Sequence, residues 1–231
     1  MTRWLLAALL LSSCTGMSTP DSTPAPNPAA ATPAAPAAAA PGHARYLALG
    51  DSYTIGESVP ATDRFPVQLA NYLHLGEPEI IARTGWTTDE LNAAIDAAHP
   101  EGPYELVTLL IGVNNQYRGR DAEQYRGEFA ALLQRAIGYA GGDPKKVVVV
   151  SIPDWGVTPF AEGRDRAKIG TEMDRYNAIN YEEAMRAGAR YADITPISRG
   201  ADPDLTAADG LHPSGKQYWD WVKVIHNALS R

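Results

Sequence analysis

The chain has 231 residues, 45% of them hydrophobic and 20% charged, which leaves room for one ordinary domain and excludes wholesale disorder, a collagen-like fibre or a long coiled coil. Its 20 cations stand against 27 anions for a net charge of -7, and no basic run offers the phosphate contacts on which nucleic-acid affinity rests. A single cysteine, Cys14, excludes an intramolecular disulfide and a multi-thiolate metal site.

Residues 1–13 carry one cation, Arg3, then an apolar run from Trp4 to Leu11 and two serines, the layout of a secretory signal peptide and too short to span a bilayer. Leu11, Ser12, Ser13 and Cys14 resemble a bacterial lipobox, which implies cleavage before Cys14 and a diacylglyceryl group on its thiol. An ordinary signal peptide that happens to end near a cysteine is the alternative. The lipobox reading implies an exported chain held at the cell envelope by lipid. From Ser18 to Pro41 there are 7 prolines and 10 alanines in 24 residues, with nothing branched or aromatic to bury, so residues 14–43 are read as a linker. In polyproline II form that run would reach roughly 75 Å.

The body, residues 44–231, alternates two periodicities. Arg45–Leu49, Glu79–Ala82, Leu106–Ile111, Val147–Ile152 and Tyr191–Ile194 are short and mostly continuous in apolar character, as parallel strands buried on both faces require. Between and after them, Tyr125, Phe129, Leu132, Leu133, Ala136 and Ile137 form one helical face and Tyr218, Trp221, Val222, Ile225 and Leu229 another. Thr87 with Glu90 and Ser214 with Gln217 have capping-box spacing and mark two helix starts. This order predicts a single three-layer α/β/α domain with a five-stranded parallel sheet, flavodoxin-like, whose functional loops follow the carboxyl ends of the strands.

Chemistry-bearing residues gather at those ends. Gly50-Asp51-Ser52 follows the first strand and would present a hydroxyl to the cleft. A serine needs a base and something to orient that base. Asp209 and His212, three residues apart in the loop before the last helix, fit both roles. After the second strand Gly85 leaves a backbone N–H open to approach, and after the third Asn114 supplies an amide. Nucleophile, oriented base and anion donors are the parts of an acyl-transfer site. No G-x-G-x-x-G, P-loop, G-x-S-x-G elbow or H-E-x-x-H accompanies them, so no cofactor or metal is expected.

These four segments together resemble the SGNH hydrolase family, also called GDSL esterases and lipases, over Ala44 to the C-terminus. Its marker residues would be Ser52, Gly85, Asn114 and His212. The resemblance implies Ser52 as nucleophile, His212 as base, Asp209 as its orienter, and an oxyanion hole from the Ser52 and Gly85 N–H groups and the Asn114 side chain. Tyr53 stands where the GDSL name has Leu, and Asn115 replaces the Asp of the usual GxND block. Tyr53, Asn115, Tyr117 and Trp155 are read as substrate-lining candidates, with Asn115 also a support for Asn114; Arg118 and Phe160 lie beside them in the same segments. The expected activity is hydrolysis of short-chain or acetyl esters of small molecules or glycans. A carbohydrate O-acetylesterase, a lysophospholipase, a thioesterase and a non-catalytic glycan-binding or scaffolding lipoprotein are the alternatives.

Overall fold

The computed structural model describes residues 44–200 and 202–230; the signal peptide, Cys14 and the linker expected upstream lie outside them. Five strands form one parallel sheet: β1 (Tyr46–Gly50), β2 (Glu79–Ala82), β3 (Leu106–Leu110), β4 (Val147–Val150) and β5 (Arg190–Ala192), in the order β2-β1-β3-β4-β5. The helices are α1 (Ser52–Ile55), α2 (Phe65–Leu73), α3 (Thr88–Ala98), α4 (Val113–Tyr117), α5 (Ala122–Tyr139), α6 (Arg166–Ala187), α7 (Thr195–Ser198) and α8 (Gly215–Leu229). Neighbours α3, α5 and α6 form one helical layer, while α2 packs with α8 against the opposite side of the sheet. Right-handed crossovers impose this division, because the chain first steps from β1 to β2 and then reverses through β3, β4 and β5. The fold is the three-layer α/β/α domain expected, in flavodoxin-like strand order.

Burial explains the continuous apolar runs. Every residue of β1, β3 and β4 is buried, so no position on these strands can be polar for solvent's sake. Each fully buried Val of β4 contributes about 1.5–3 kcal/mol relative to exposure. β4 and β5 each end two residues before their apolar runs, because side chains take over the ladder groups. The Asn177 side chain accepts from Ile152 N–H at 2.7 Å, and Ser151 Oγ accepts from Ile194 N–H at 2.8 Å. The 22-residue α6 has no expectation behind it, since buried Asn177, Asn180 and Glu183 interrupt its apolar stripe. At Thr87 the capping box is complete, whereas Ser214 shows only its own half, accepting from Gln217 N–H at 3.3 Å.

The strand order reverses between β1 and β3, the position at which such sheets open a crevice outside the carboxyl ends of their strands. Gly50, Ala82 and Leu110 are in register across the three central strands. Gly50 must be glycine: a Cβ there would stand 2.4 Å from the Leu110 carbonyl oxygen and 2.1 Å from Thr54 Oγ1. This close packing lets the first turn leave the sheet sharply and sets Ser52 at the crevice.

Candidate active site

Ser52 opens α1, with Asp51 as its cap: the Asp51 carboxylate oxygen Oδ1 accepts from Tyr53 N–H at 3.0 Å. The serine is largely buried, 6% exposed, so an attacking oxygen there would be shielded from bulk water. Asp51 is wholly buried, and its Oδ2 has no hydrogen-bond partner among the described residues. Burial pushes its carboxyl up to about 7, opposed only in part by backbone donors. The folded chain therefore holds a proton on Asp51 that the unfolded chain releases above about pH 4. Stability is expected to fall as pH rises from about 4 to 7, by a total on the order of 4 kcal/mol, and to level off above that window. Denaturation midpoints measured across this range check the slope, and Asp51→Asn should remove it; an unchanged slope in the variant would refute the assignment.

The candidate base and its candidate orienter meet directly. His212 Nδ1 lies 2.5 Å from Asp209 Oδ2. Asp209 Oδ1 accepts from the N–H groups of Leu211 and His212 at 2.9 and 3.0 Å, and Oδ2 also accepts from the Ser58 hydroxyl at 2.6 Å. Partial burial alone would raise the Asp209 carboxyl, but the hydrogen bonds from Ser58, His212 and the two backbone donors outweigh it and hold the group well below the usual carboxylate range. Its stabilising effect is present above the ordinary carboxylate pKa and is lost only as pH falls below that value, a window separate from that of Asp51. The loop is tied down by Ala207 N–H to His212 O at 2.7 Å and Ser214 N–H to Leu205 O at 2.8 Å. His212 is 7% exposed, and the Tyr53 ring meets it edge-on at 5.5 Å. Among the described residues the Ser52 hydroxyl forms no hydrogen bond with His212; the two segments are joined by Tyr53, next in the chain to Ser52, against His212 and by Ser58 against Asp209.

Gly85 and Asn114 come together through Trp86. Asn114 Nδ2 donates to the Trp86 carbonyl at 2.9 Å, which uses one of its two protons and leaves the other for a ligand. Gly85 has φ +85, a left-handed conformation that favours glycine. A Cβ there would meet nothing closer than Arg118 at 3.8 Å, so conformation rather than space requires the residue. The Gly85 carbonyl accepts from the Arg118 guanidinium at 2.6 Å.

Of the substrate-lining candidates, Tyr53 and Trp155 border a cavity of about 10 Å³ beside His212, and Tyr117 stands on the rim, 49% exposed. Asn115 does not line the cleft; this corrects that part of the expectation. It is fully buried, where Oδ1 accepts from Thr88 N–H at 3.1 Å and Nδ2 donates to Thr88 Oγ1 at 2.7 Å and to Glu128 Oε2 at 3.5 Å. It thus braces α4 against the start of α3. The carboxylate on α5 also explains the departure from the GxND block, since an Asp at 115 would face Glu128 with like charge. Asn115→Asp is expected to cost about 2–3 kcal/mol of stability, and Glu128→Gln should restore most of that loss. Denaturation midpoints of the single and double variants measure the coupling; additive losses would rule out a direct contact. Ser58 and Glu128 had no local signal in the sequence, since each acts on a partner distant in the chain or on a neighbouring helix.

The model of the GDSL-like lipase/acylhydrolase family matches residues 48–219. The chain belongs to this family and is a hydrolase acting on ester bonds. Its fold is similar to that of TesA, at 17% identity and a TM-score of 0.64, over 80% of this chain and 97% of that one. An extracellular lipase from Streptomyces rimosus is similar at 20% identity and a TM-score of 0.62, over 80% and 99%. Axe2, an acetylxylan esterase from Geobacillus stearothermophilus, is similar at 17% and 0.60, over 81% and 94%. No curated protein sequence matches the chain.

Proposed function

We propose that the chain cleaves short-chain carboxylic esters, acetyl esters foremost, through a covalent acyl-enzyme on Ser52. His212 Nε2 takes the hydroxyl proton as Ser52 Oγ attacks the carbonyl carbon, while Asp209 holds the imidazole in the required tautomer and stabilises its protonated form. The carbonyl oxygen becomes an oxyanion against the N–H groups of Ser52 and Gly85 and the free proton of Asn114. Collapse expels the alcohol, which receives the proton from His212, and water repeats the sequence to release the acid. The observation that carries this reading is the Asp209–His212 pair, its carboxylate anchored by three further donors.

The likeness to an acetylxylan esterase is consistent with an acetyl group. Hydrolysis of 4-nitrophenyl acetate, butyrate and octanoate by the full chain tests the proposal: kcat/KM should fall with acyl length, and absence of turnover on all three would overturn the ester-hydrolase mechanism on Ser52.

The proposal places the domain at the cell envelope, tethered by lipid on Cys14. Among the described residues no helix is long and apolar enough to cross a membrane. Cys14→Ser is expected to move the protein from the membrane fraction to the soluble one; a wild-type chain recovered in soluble form and starting beyond Cys14 would disprove the anchor.

A further inference from the structure

One wall of the crevice carries an aromatic shelf with a cation beside it. Tyr117 and Phe160 are 49% and 41% exposed, with ring centroids 6.5 Å apart, and both pack on Trp155, at 5.5 and 6.0 Å. The Arg164 guanidinium lies 5.1 Å from the Phe160 ring, 5.3 Å from Trp155 and 5.5 Å from Tyr117. Its side-chain hydrogen bond among the described residues goes to Tyr117 Oη, at 3.4 Å.

Three connections tie this shelf to the reacting groups. Trp155 also borders the cavity beside His212. Phe160 N–H donates to Gly210 O at 2.9 Å, inside the loop of Asp209 and His212. Tyr117 follows Asn114 by three residues on α4, one turn further along the same helix.

The chain is acidic, with net charge -7; of the cations near the shelf, Arg118, Arg120 and Lys168 pair with Glu90, Asp89 and Glu172, while Arg166 donates to the Ala161 and Thr158 carbonyls. Among the described residues Arg164 forms no ion pair with a carboxylate, and Glu162, close to it in the loop, forms none with it. A guanidinium held by aromatic faces keeps its charge and its donors for a partner from solvent.

We infer that Tyr117, Phe160 and Arg164 form the subsite for the alcohol part of the ester and select alcohols that join a flat face to a negative charge. This rests on the ester-hydrolase mechanism proposed above and adds a substrate class to it. The flat face stacks on the exposed rings, and the anion meets Arg164 beyond them.

The test compares 4-acetoxybenzoate with its neutral isostere 4-acetoxybenzamide, using the full chain. Arg164→Gln should lower the anionic-to-neutral ratio of kcat/KM about tenfold, through KM rather than kcat; intrinsic reactivity cancels because the same two esters are compared in both proteins. Arg164→Lys, which keeps the charge, should retain most of the ratio, and added salt should narrow the ratio in wild type but not in Arg164→Gln. Tyr117→Ala should raise KM for both esters. Turnover of both with a ratio unchanged in Arg164→Gln would overturn the subsite and leave the mechanism standing. Turnover of neither by wild type would overturn the mechanism and the subsite with it.

Discussion

Replacing Ser52 with alanine is expected to abolish covalent labelling by a fluorophosphonate and to lower kcat by roughly a millionfold, the scale seen when a triad nucleophile is removed. The reason is local. Ser52 is the hydroxyl that the Gly50–Leu110 packing sets where the strand order reverses, next in the chain to Tyr53, whose ring contacts the His212 imidazole. His212→Ala should be nearly as severe, because without the base the attacking oxygen keeps its proton. Asp209→Ala should cost about ten-thousandfold, since the ring then loses the carboxylate at Nδ1 that selects its tautomer. The three losses should not multiply: once one member is gone, the others have no shared proton transfer left to serve. Single-turnover kinetics on the single and double variants, with melting temperatures to confirm folding, decide the matter. Undiminished labelling of Ser52→Ala would assign the nucleophile elsewhere, and a His212/Asp209 double variant showing the full product of the two losses would show that they act separately.

Asn114→Ala is expected to reduce kcat about a hundredfold to a thousandfold while leaving KM nearly unchanged. One proton of the Asn114 amide is committed to the Trp86 carbonyl, which fixes the plane of the group. The remaining proton reaches full hydrogen-bonding geometry only when the carbonyl carbon becomes tetrahedral and its oxygen moves toward the donors. The loss therefore falls on the transition state rather than on the bound ester. Asn115→Ala should affect kcat less and stability more, as befits a buried brace. A change in kcat within about threefold for Asn114→Ala, under ~1 kcal/mol, would remove Asn114 from the oxyanion hole.

The architecture was legible because a parallel sheet covered on both faces leaves its strands no choice but continuous apolar runs, and each run then points to a loop at its carboxyl end. Ser52, Gly85 and Asn114 could be placed at strand ends by that rule, and the Asp209–His212 pairing followed from a spacing of three residues. What escaped notice depends on distance in the chain. The Ser58 hydroxyl reaches Asp209 across 151 positions, and no local pattern marks it. The partner of Asn115 is a glutamate that looks like any solvated helix residue until α5 is packed beside α3. Helix α6 was hidden by the polar residues it buries, with Asn177 spending its amide on Ile152 and Thr195. The high pKa of Asp51 is likewise invisible in a Gly-Asp-Ser turn, because it arises from what the finished fold packs around the carboxyl.

The strand order also sets where along the chain the parts of the proposed site lie. The central strand β1 is the first to be made, and the turn bearing Ser52 emerges with it, yet both neighbours of β1 come later and the base arrives only after β5. The Ser52 turn is thus separated in the chain from the candidate donor Asn114 after β3 and from the candidate base after β5. The proposed base and its orienter come last, in the loop just before α8, which packs on α2. On the proposed mechanism, any chain that ends before His212 carries the nucleophile without the base that would activate it, so truncation at the C-terminus removes the chemistry before it removes the sheet.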